Sequence, residues 1–128
     1  MSTKEIPSDD WGAFFQGLAS SHRAWLTTIQ ITSFELGAQT WVEKLPLEDI
    51  GVEKDGEGNT RIVMSIGGAD EKTAMHIIRS PRNVWWKTIE EGAEEVVEIV
   101  GRGGTLTLLR FQTAFRPQLA EGVTASQI

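Results

Sequence analysis

The sequence predicts an α+β protein, mostly β, in which an N-terminal helix packs on a curved antiparallel sheet or partly closed barrel of about 7–8 strands. One helical stripe of apolar residues lies near the N-terminus. The apolar segments that follow it alternate with a period of two, which is typical of strands. Short links rich in Gly, Pro, Asn and Asp join these segments without a helical crossover, so an antiparallel meander is favoured over parallel βαβ units.

Composition limits the classes to which the protein can belong. A chain of 128 residues with 40% hydrophobic content can bury one core, so we expect a single domain over residues 1–128. The sequence contains no cysteine, which excludes disulfides and thiolate metal sites and favours a reducing compartment. Residues 1–10 lack the apolar core of a signal peptide, and no apolar run approaches the ~18–20 residues of a membrane span. A cytoplasmic protein without a membrane partner is therefore expected.

The helix is predicted over about residues 8–20. Its apolar face has the spacing i, i+3, i+4 and i+7 and consists of Trp11, Phe14, Phe15 and Leu18. Ser8 is the predicted N-cap, and His22 is predicted to end the helix. Because Gly12 and Gly17 each weaken a helix by ~1 kcal/mol relative to alanine, the helix must be held by docking its aromatic face on the sheet.

The sheet is predicted over about residues 24–111. The predicted strands are 25–32, 38–45, 47–54, 60–66, 72–78, 84–89, 94–100 and 105–111. Pro46 is expected to separate the second strand from the third, because proline cannot donate to a ladder. Residues 80–83 are expected to form a turn. Residues 117–128 are polar and without periodicity, so a loose C-terminal tail is expected.

Two hairpins have a register that the pattern predicts, if each is symmetric about its turn. Around residues 55–59, the predicted partners are Ile50 with Met64, Val52 with Ile62, and Glu53 with Arg61. Around residues 101–104, they are Val97 with Leu108, Ile99 with Leu106, and Glu95 with Arg110.

The segment from Arg79 to Lys87 has three positive charges and two tryptophans with no acid between them. Aromatic and basic side chains in this combination are typical of single-stranded nucleic-acid binding. Adjacent strand residues point to opposite faces, however, so only one tryptophan can enter the core. We predict Trp86 inside, beside Val84 and against residues 96–99, and Trp85 outside. The net charge of −6 makes nucleic acid an unlikely partner.

No motif in the sequence predicts a catalytic, cofactor-binding or metal-binding residue. The 55–59 loop begins like a calcium loop, but Thr60 and Ile66 occupy positions where glycine and glutamate are needed. The glycines at 101–104 lead into a strand, whereas a phosphate-binding loop opens a helix. The two histidines have no metal-ligand spacing. A Ser-His-Asp set of Ser65, His76 and Asp70 can be written down, but the abundance of serines gives it little weight.

Five tryptophans without a catalytic set favour a non-enzymatic binding or protein-interaction module, with a homodimer through a sheet face or edge as one form of it. The alternative is a small-molecule site, either binding or enzymatic, in a tryptophan-lined pocket of the sheet. No cofactor is indicated. The candidate interaction or ligand surface consists of Trp41, His76, Arg79, Arg82, Trp85 and Arg110.

Several short motifs are spread along almost the whole chain. They are Glu5-Ile6-Pro7, Trp11 with Phe15, Ser21-His22-Arg23, Leu36-Gly37-Ala38, Leu45-Pro46-Leu47 with Ile50, Glu91-Gly92-Ala93 and Leu108-Leu109-Arg110-Phe111. In these motifs the sequence resembles a bacterial domain-of-unknown-function family, family 5335, of short single-domain proteins. The resemblance implies a bacterial single-domain protein and brings no activity, cofactor or catalytic residue.

Overall fold

A computed structural model describes residues 2–67, 74–89 and 94–113, which form one α-helix and eight strands. The helix α1 is Trp11–Ser21, preceded by a 3-10 turn at Ser8–Asp10. The strands are β1 Ser2–Ile6, β2 Leu26–Ser33, β3 Gly37–Lys54, β4 Thr60–Ile66, β5 Ala74–Arg79, β6 Pro81–Ile89, β7 Glu94–Gly101 and β8 Leu106–Gln112. Among the described residues, no helix is long and apolar enough to cross a membrane.

The strands form one antiparallel sheet in the order β1-β6-β7-β8-β2-β3-β4-β5, with β1 and β5 at its edges. It contains two runs of sequential hairpins, β2 to β5 and β6 to β8, and the pairing of β8 with β2 joins them. The sheet is curved and is not closed into a barrel. The predicted fold class, α+β and mostly β with an N-terminal helix, is therefore confirmed.

Strand β3 bends the sheet, because its first half pairs with β2 and its second half pairs with β4. Two irregularities in the β2 pairing give β3 extra residues: Trp41 is one, and Lys44, with φ +54°, lies in the other. Such bulges bend a strand and increase its twist. The prediction that Pro46 ends a strand is wrong. Pro46 lies at the corner between the two halves of β3, and its carbonyl accepts a hydrogen bond from the Gly67 N–H.

The helix docks mainly on β3, and its apolar face matches the prediction. Trp11, Phe15 and Leu18 are buried, while Phe14 is partly buried against the core. The Trp11 indole N–H also donates to the Ile6 carbonyl at 2.9 Å. The predicted Ser8 cap is wrong, because the chain enters the helix through the 3-10 turn and no side chain caps it.

The core lies between the helix and the concave face of the bent sheet. Its fully buried members from the sheet include Ile29, Leu47, Ile62, Met64, Ile66, Val84, Val97, Ile99, Leu109 and Phe111. Val84 and Trp86 both pack on this side, and Trp85 alternates to the other, as predicted.

The predicted β3–β4 register is confirmed at all three pairs: Ile50 with Met64, Val52 with Ile62, and Glu53 with Arg61. The β7–β8 hairpin exists, but its predicted register is wrong by one residue. The observed pairs are Val97 with Leu109, Ile99 with Thr107, Glu95 with Phe111, and Val96 with Arg110. The turn contains five residues, from 101 to 105, rather than four, because a 3-10 turn with Gly103 and Gly104 at positive φ lengthens it.

Four further points differ from the structure or cannot be compared with it. Strand β1 is not among the predicted strands. The predicted turn at 80–83 is reduced to Ser80, and β6 begins at Pro81. The start of the predicted strand 72–78 and the predicted tail at 117–128 lie outside the described residues.

Candidate functional site

A cleft of about 260 Å³ lies between the edge strand β5, the β7–β8 turn and strand β2. Its lining combines apolar, cationic and hydroxyl side chains: Ile31, His76, Ile77, Ile78, Arg79, Gly101, Arg102, Thr105 and Thr107. Because the sheet does not close, β5 has no hydrogen-bonded neighbour among the described strands on this side. The cleft is thus a product of the incomplete closure of the sheet.

A pair of aromatic rings in tilted contact extends one wall of the cleft. The Trp41 and His76 rings have centroids 4.7 Å apart, and the Trp41 side chain remains accessible, with the residue 45% exposed. Trp41 is the extra residue of a β3 bulge, and His76 pairs with the buried Met64 across β4 and β5. Burial lowers the pKa of His76, because the charged imidazolium loses solvation. The ring is therefore neutral at neutral pH.

Two arginines, Arg79 and Arg102, also line the cleft. The Arg102 backbone N–H donates to the Ser80 carbonyl at 3.2 Å, which holds the turn beside the residue that follows Arg79. Within residues 2–67, 74–89 and 94–113, neither guanidinium has an ion-pair partner. Three other cations of the sheet have carboxylate partners: Arg61 pairs with Glu53, Lys87 with Glu98, and Arg110 with Glu94. Arg79 and Arg102 are thus charges available to a ligand.

Thr107 contributes a buried hydroxyl group to the cleft. The residue is 4% exposed and pairs with Ile31 and Ile99 on the inner face of the sheet. Its hydroxyl makes no hydrogen bond to any residue of the described ranges. A buried polar group without a partner costs about 1–3 kcal/mol, so a ligand that bonds to it gains affinity.

The structure brings together three of the six predicted surface residues, Trp41, His76 and Arg79. The other three lie elsewhere. Arg82 is exposed on β6, and Arg110 is exposed on β8 with Glu94. Trp85 lies on the outer face of β6, and its cross-strand neighbours are Glu5 and Glu98.

Arg102 and Thr107 are not among the residues that the sequence predicts as parts of a site. Arg102 has a signal in the sequence, because it lies between glycines in the 101–104 segment. That segment forms a turn and not a helix N-terminus. Thr107 has no such signal, because its position on the inner face depends on the one-residue shift in the β7–β8 register.

A second polar cluster joins the helix to the sheet. His22 follows α1 and is buried, and its Nε2 lies 2.8 Å from Oε2 of the buried Glu95. The Trp86 indole N–H donates to the other carboxylate oxygen at 2.8 Å. His22 Nδ1 lies 2.7 Å from the Ser21 hydroxyl and 3.0 Å from the Leu18 carbonyl. His22 thus ends the helix as predicted, but the pairing with Glu95 was not foreseen.

This cluster has the composition of a Ser-His-Glu triad without the geometry of one. The Ser21 hydroxyl donates to the Gly17 carbonyl at 2.9 Å, so it accepts from His22 rather than losing its proton to it. The Leu18 carbonyl likewise requires a proton on His22 Nδ1. The cluster therefore fastens the helix to the sheet. No group of three or more His, Cys, Asp or Glu side chains in the described part of the chain could hold a metal ion.

Comparisons with known proteins agree with this fold. The crystal structure of the Bacillus subtilis YojF protein superimposes with a TM-score of 0.51, covering 91% of this chain and 99% of that one. At 14% identity, this likeness shows the fold alone. An uncharacterized protein of Aquifex aeolicus (strain VF5) is 27% identical over 114 residues, which are 89% of this chain and 96% of the relative. Neither comparison brings an activity. The model of a family of unknown function, DUF5335, matches residues 2–118, and the chain belongs to that family.

Proposed function

We propose that the protein is a non-enzymatic binding module that holds a small molecule in the cleft between β5, the β7–β8 turn and β2. One observation carries the proposal: a ring pair, two arginines and a buried hydroxyl lie at one cleft, and the arginines and the hydroxyl have no partner among the described residues. Ligand sites combine apolar walls with a few convergent polar groups in this way.

The binding role is favoured over catalysis because the cleft lacks an oriented base. The His76 ring contacts Trp41 at an interplanar angle of 40°, and no described carboxylate hydrogen-bonds to it. A catalytic histidine normally has such a partner to fix its tautomer and direction. His76 thus serves as a wall and a neutral hydrogen-bonding group.

Native mass spectrometry of the freshly purified full chain tests the proposal. We expect a fraction of the protein to retain a small-molecule adduct that is released on denaturation. A Thr105→Trp variant, which places a large ring at the wall of the cleft, is expected to lose the adduct. A Thr3→Trp variant on the exposed part of β1 serves as the control and should retain it. An adduct that survives Thr105→Trp would place the ligand elsewhere and contradict the proposal.

A protein partner, including a second copy of the chain, is the second candidate. It is favoured by two exposed apolar side chains at the β2–β3 turn, Phe34 at 102% exposure and Leu36 at 68%. Light scattering after size exclusion tests it: a parent dimer that becomes monomeric in Phe34→Ser with Leu36→Ser would support it. A monomer at all concentrations would contradict the homodimer.

Nucleic acid is the least favoured partner. Glu5 and Glu98 are the cross-strand neighbours of Trp85, and the net charge of −6 repels a phosphate backbone at long range. We also propose a cytoplasmic location, which the absence of cysteine supports.

A further inference from the structure

We infer that the ligand of the cleft is a small acid with an apolar body and one anionic head, an inference that rests on the proposed function. The charge of the head follows from Arg79 and Arg102. Both arginines line the same cleft, and neither has an ion-pair partner among the described residues. Arginine recognises carboxylates through paired N–H donors, and these charge-assisted bonds are about twice as strong as neutral ones.

The size of the ligand follows from the cleft. Its volume of about 260 Å³ is below the ~300–1,000 Å³ typical of sites for drug-sized ligands. A single ring or a short alkyl chain with one acidic group fits such a volume, whereas a nucleotide does not.

The apolar body follows from the remaining walls. Ile31, Ile77 and Ile78 supply aliphatic surface, and the neutral His76 ring continues it towards Trp41. An ion without an apolar part, such as inorganic phosphate, would leave these surfaces in contact with water.

The hydroxyl of Thr107 gives the head a second contact. It lies on the inner face at the same cleft, and no described residue bonds to it. A carboxylate has about four acceptor sites on its two oxygens, so it can bond to an arginine and to a hydroxyl at once. A neutral apolar ligand would leave both arginines and this hydroxyl without a partner.

Matched pairs of probes test the inference on the full chain by isothermal titration calorimetry. The acids are benzoate, phenylacetate and hexanoate, and each has its amide as a neutral control of the same shape. Acetate and inorganic phosphate serve as anions without an apolar body. We expect at least one acid to bind about tenfold or more tightly than its amide, and acetate and phosphate to bind more weakly than that acid.

Variants then locate the binding. Arg79→Gln and Arg102→Gln should each weaken the best acid by about tenfold, while its amide is unaffected. Arg82→Gln is the matched control, because it removes an exposed arginine of β6 that does not line the cleft. Thr107→Val keeps the shape of the side chain, and we expect it to weaken the acid by about fivefold. Thermal unfolding of each variant shows whether the fold is retained.

The results separate this inference from the proposed function. Equal binding of acid and amide, or an equal loss in Arg82→Gln, would overturn the anionic head. Binding of acetate or phosphate as tight as that of the best acid would overturn the apolar body. If no acid binds while native mass spectrometry shows a neutral or basic adduct, the inference fails and the proposed function stands. If there is neither binding nor adduct, both fail.

Discussion

Glu95 illustrates how one residue of register changes the role of a side chain. A four-residue turn would place it opposite Arg110, as the sequence predicts. The five-residue turn places it opposite Phe111 instead, and its carboxylate lies on the inner face within 2.8 Å of His22. A buried carboxylate needs such a partner, because burial without one costs several kcal/mol. The pairing that replaces the predicted one is therefore a requirement of the fold.

Removal of this carboxylate is the first prediction. Glu95→Ala leaves His22 and the Trp86 indole N–H without their buried partner, so we expect a loss of about 3–5 kcal/mol in the free energy of unfolding. Urea titration of both proteins measures it. Glu98→Ala in the same strand is the control: its ion pair with Lys87 is partly exposed, and a loss of no more than ~1 kcal/mol is expected. Equal losses in the two variants would contradict the role of the cluster.

The pH dependence of stability tests the environment of His76. Burial lowers the pKa of His76 in the folded protein, so His76 binds a proton more readily in the unfolded chain. The contribution of neutral His76 is therefore complete above about pH 6.5, the ordinary value, and declines as the pH falls through the folded-state pKa. We expect His76→Phe to lose less stability than the parent over this acidic range. Urea titrations at several pH values measure the difference, and equal pH profiles would show that His76 is solvated.

At the scale of the elements, the helix depends on docking. Phe15 has no exposed surface and contacts Phe14 edge-to-face, with ring centroids 5.0 Å apart. Phe15→Ala should cost about 3–5 kcal/mol, because it opens a cavity between α1 and the sheet. The exposed neighbour Gln16 provides the control, and Gln16→Ala should change stability by less than about 0.5 kcal/mol. Chemical denaturation of both variants measures these changes. A Phe15→Ala loss below ~1 kcal/mol in the free energy of unfolding would contradict docking of the helix.

Strand β6 gives the matching test for the sheet. Trp86 packs on the core edge-to-face with Phe14 and donates to Glu95, whereas Trp85 lies between two acidic side chains on the outer face. We expect Trp86→Ala to cost about 3 kcal/mol and Trp85→Ala about 1 kcal/mol in the free energy of unfolding. The reverse ranking, measured by urea titration, would mean that the strand presents the other face to the core.

The elements also show what a sequence can predict. The β3–β4 register is predictable because Ile50 and Val52 fix one face and the Glu53–Arg61 pair fixes the other. The β7–β8 register is not predictable, because both faces of β7 are apolar near Val96 and Val97. The apolar pattern therefore fits either alignment of the two strands. Strand β1 has no alternating apolar pattern, since it is an edge strand in which residues 3–5 are exposed and Ile6 is buried.

At the scale of the whole molecule, the candidate site depends on curvature that no local pattern encodes. Trp41 and His76 can be selected from the sequence as a large ring and a titratable group, but their contact requires the bulges and the bend of β3. Arg102 bonds to Ser80, the residue after Arg79, only because the end of β7 lies beside the β5–β6 link. Long-range placement of this kind follows from the packing of the whole sheet around one core.

Amide chemical-shift mapping on the ¹⁵N-labelled full chain tests the central claim most directly, with a mixed set of small acids, amides and amines as probes. The account predicts that the shifts from bound probes centre on β5, the β7–β8 turn and β2, with the largest changes at Ile31, His76, Arg102 and Thr107. Shifts centred instead on the helix face around Phe14 and Trp86, or no shifts with any probe, would contradict it.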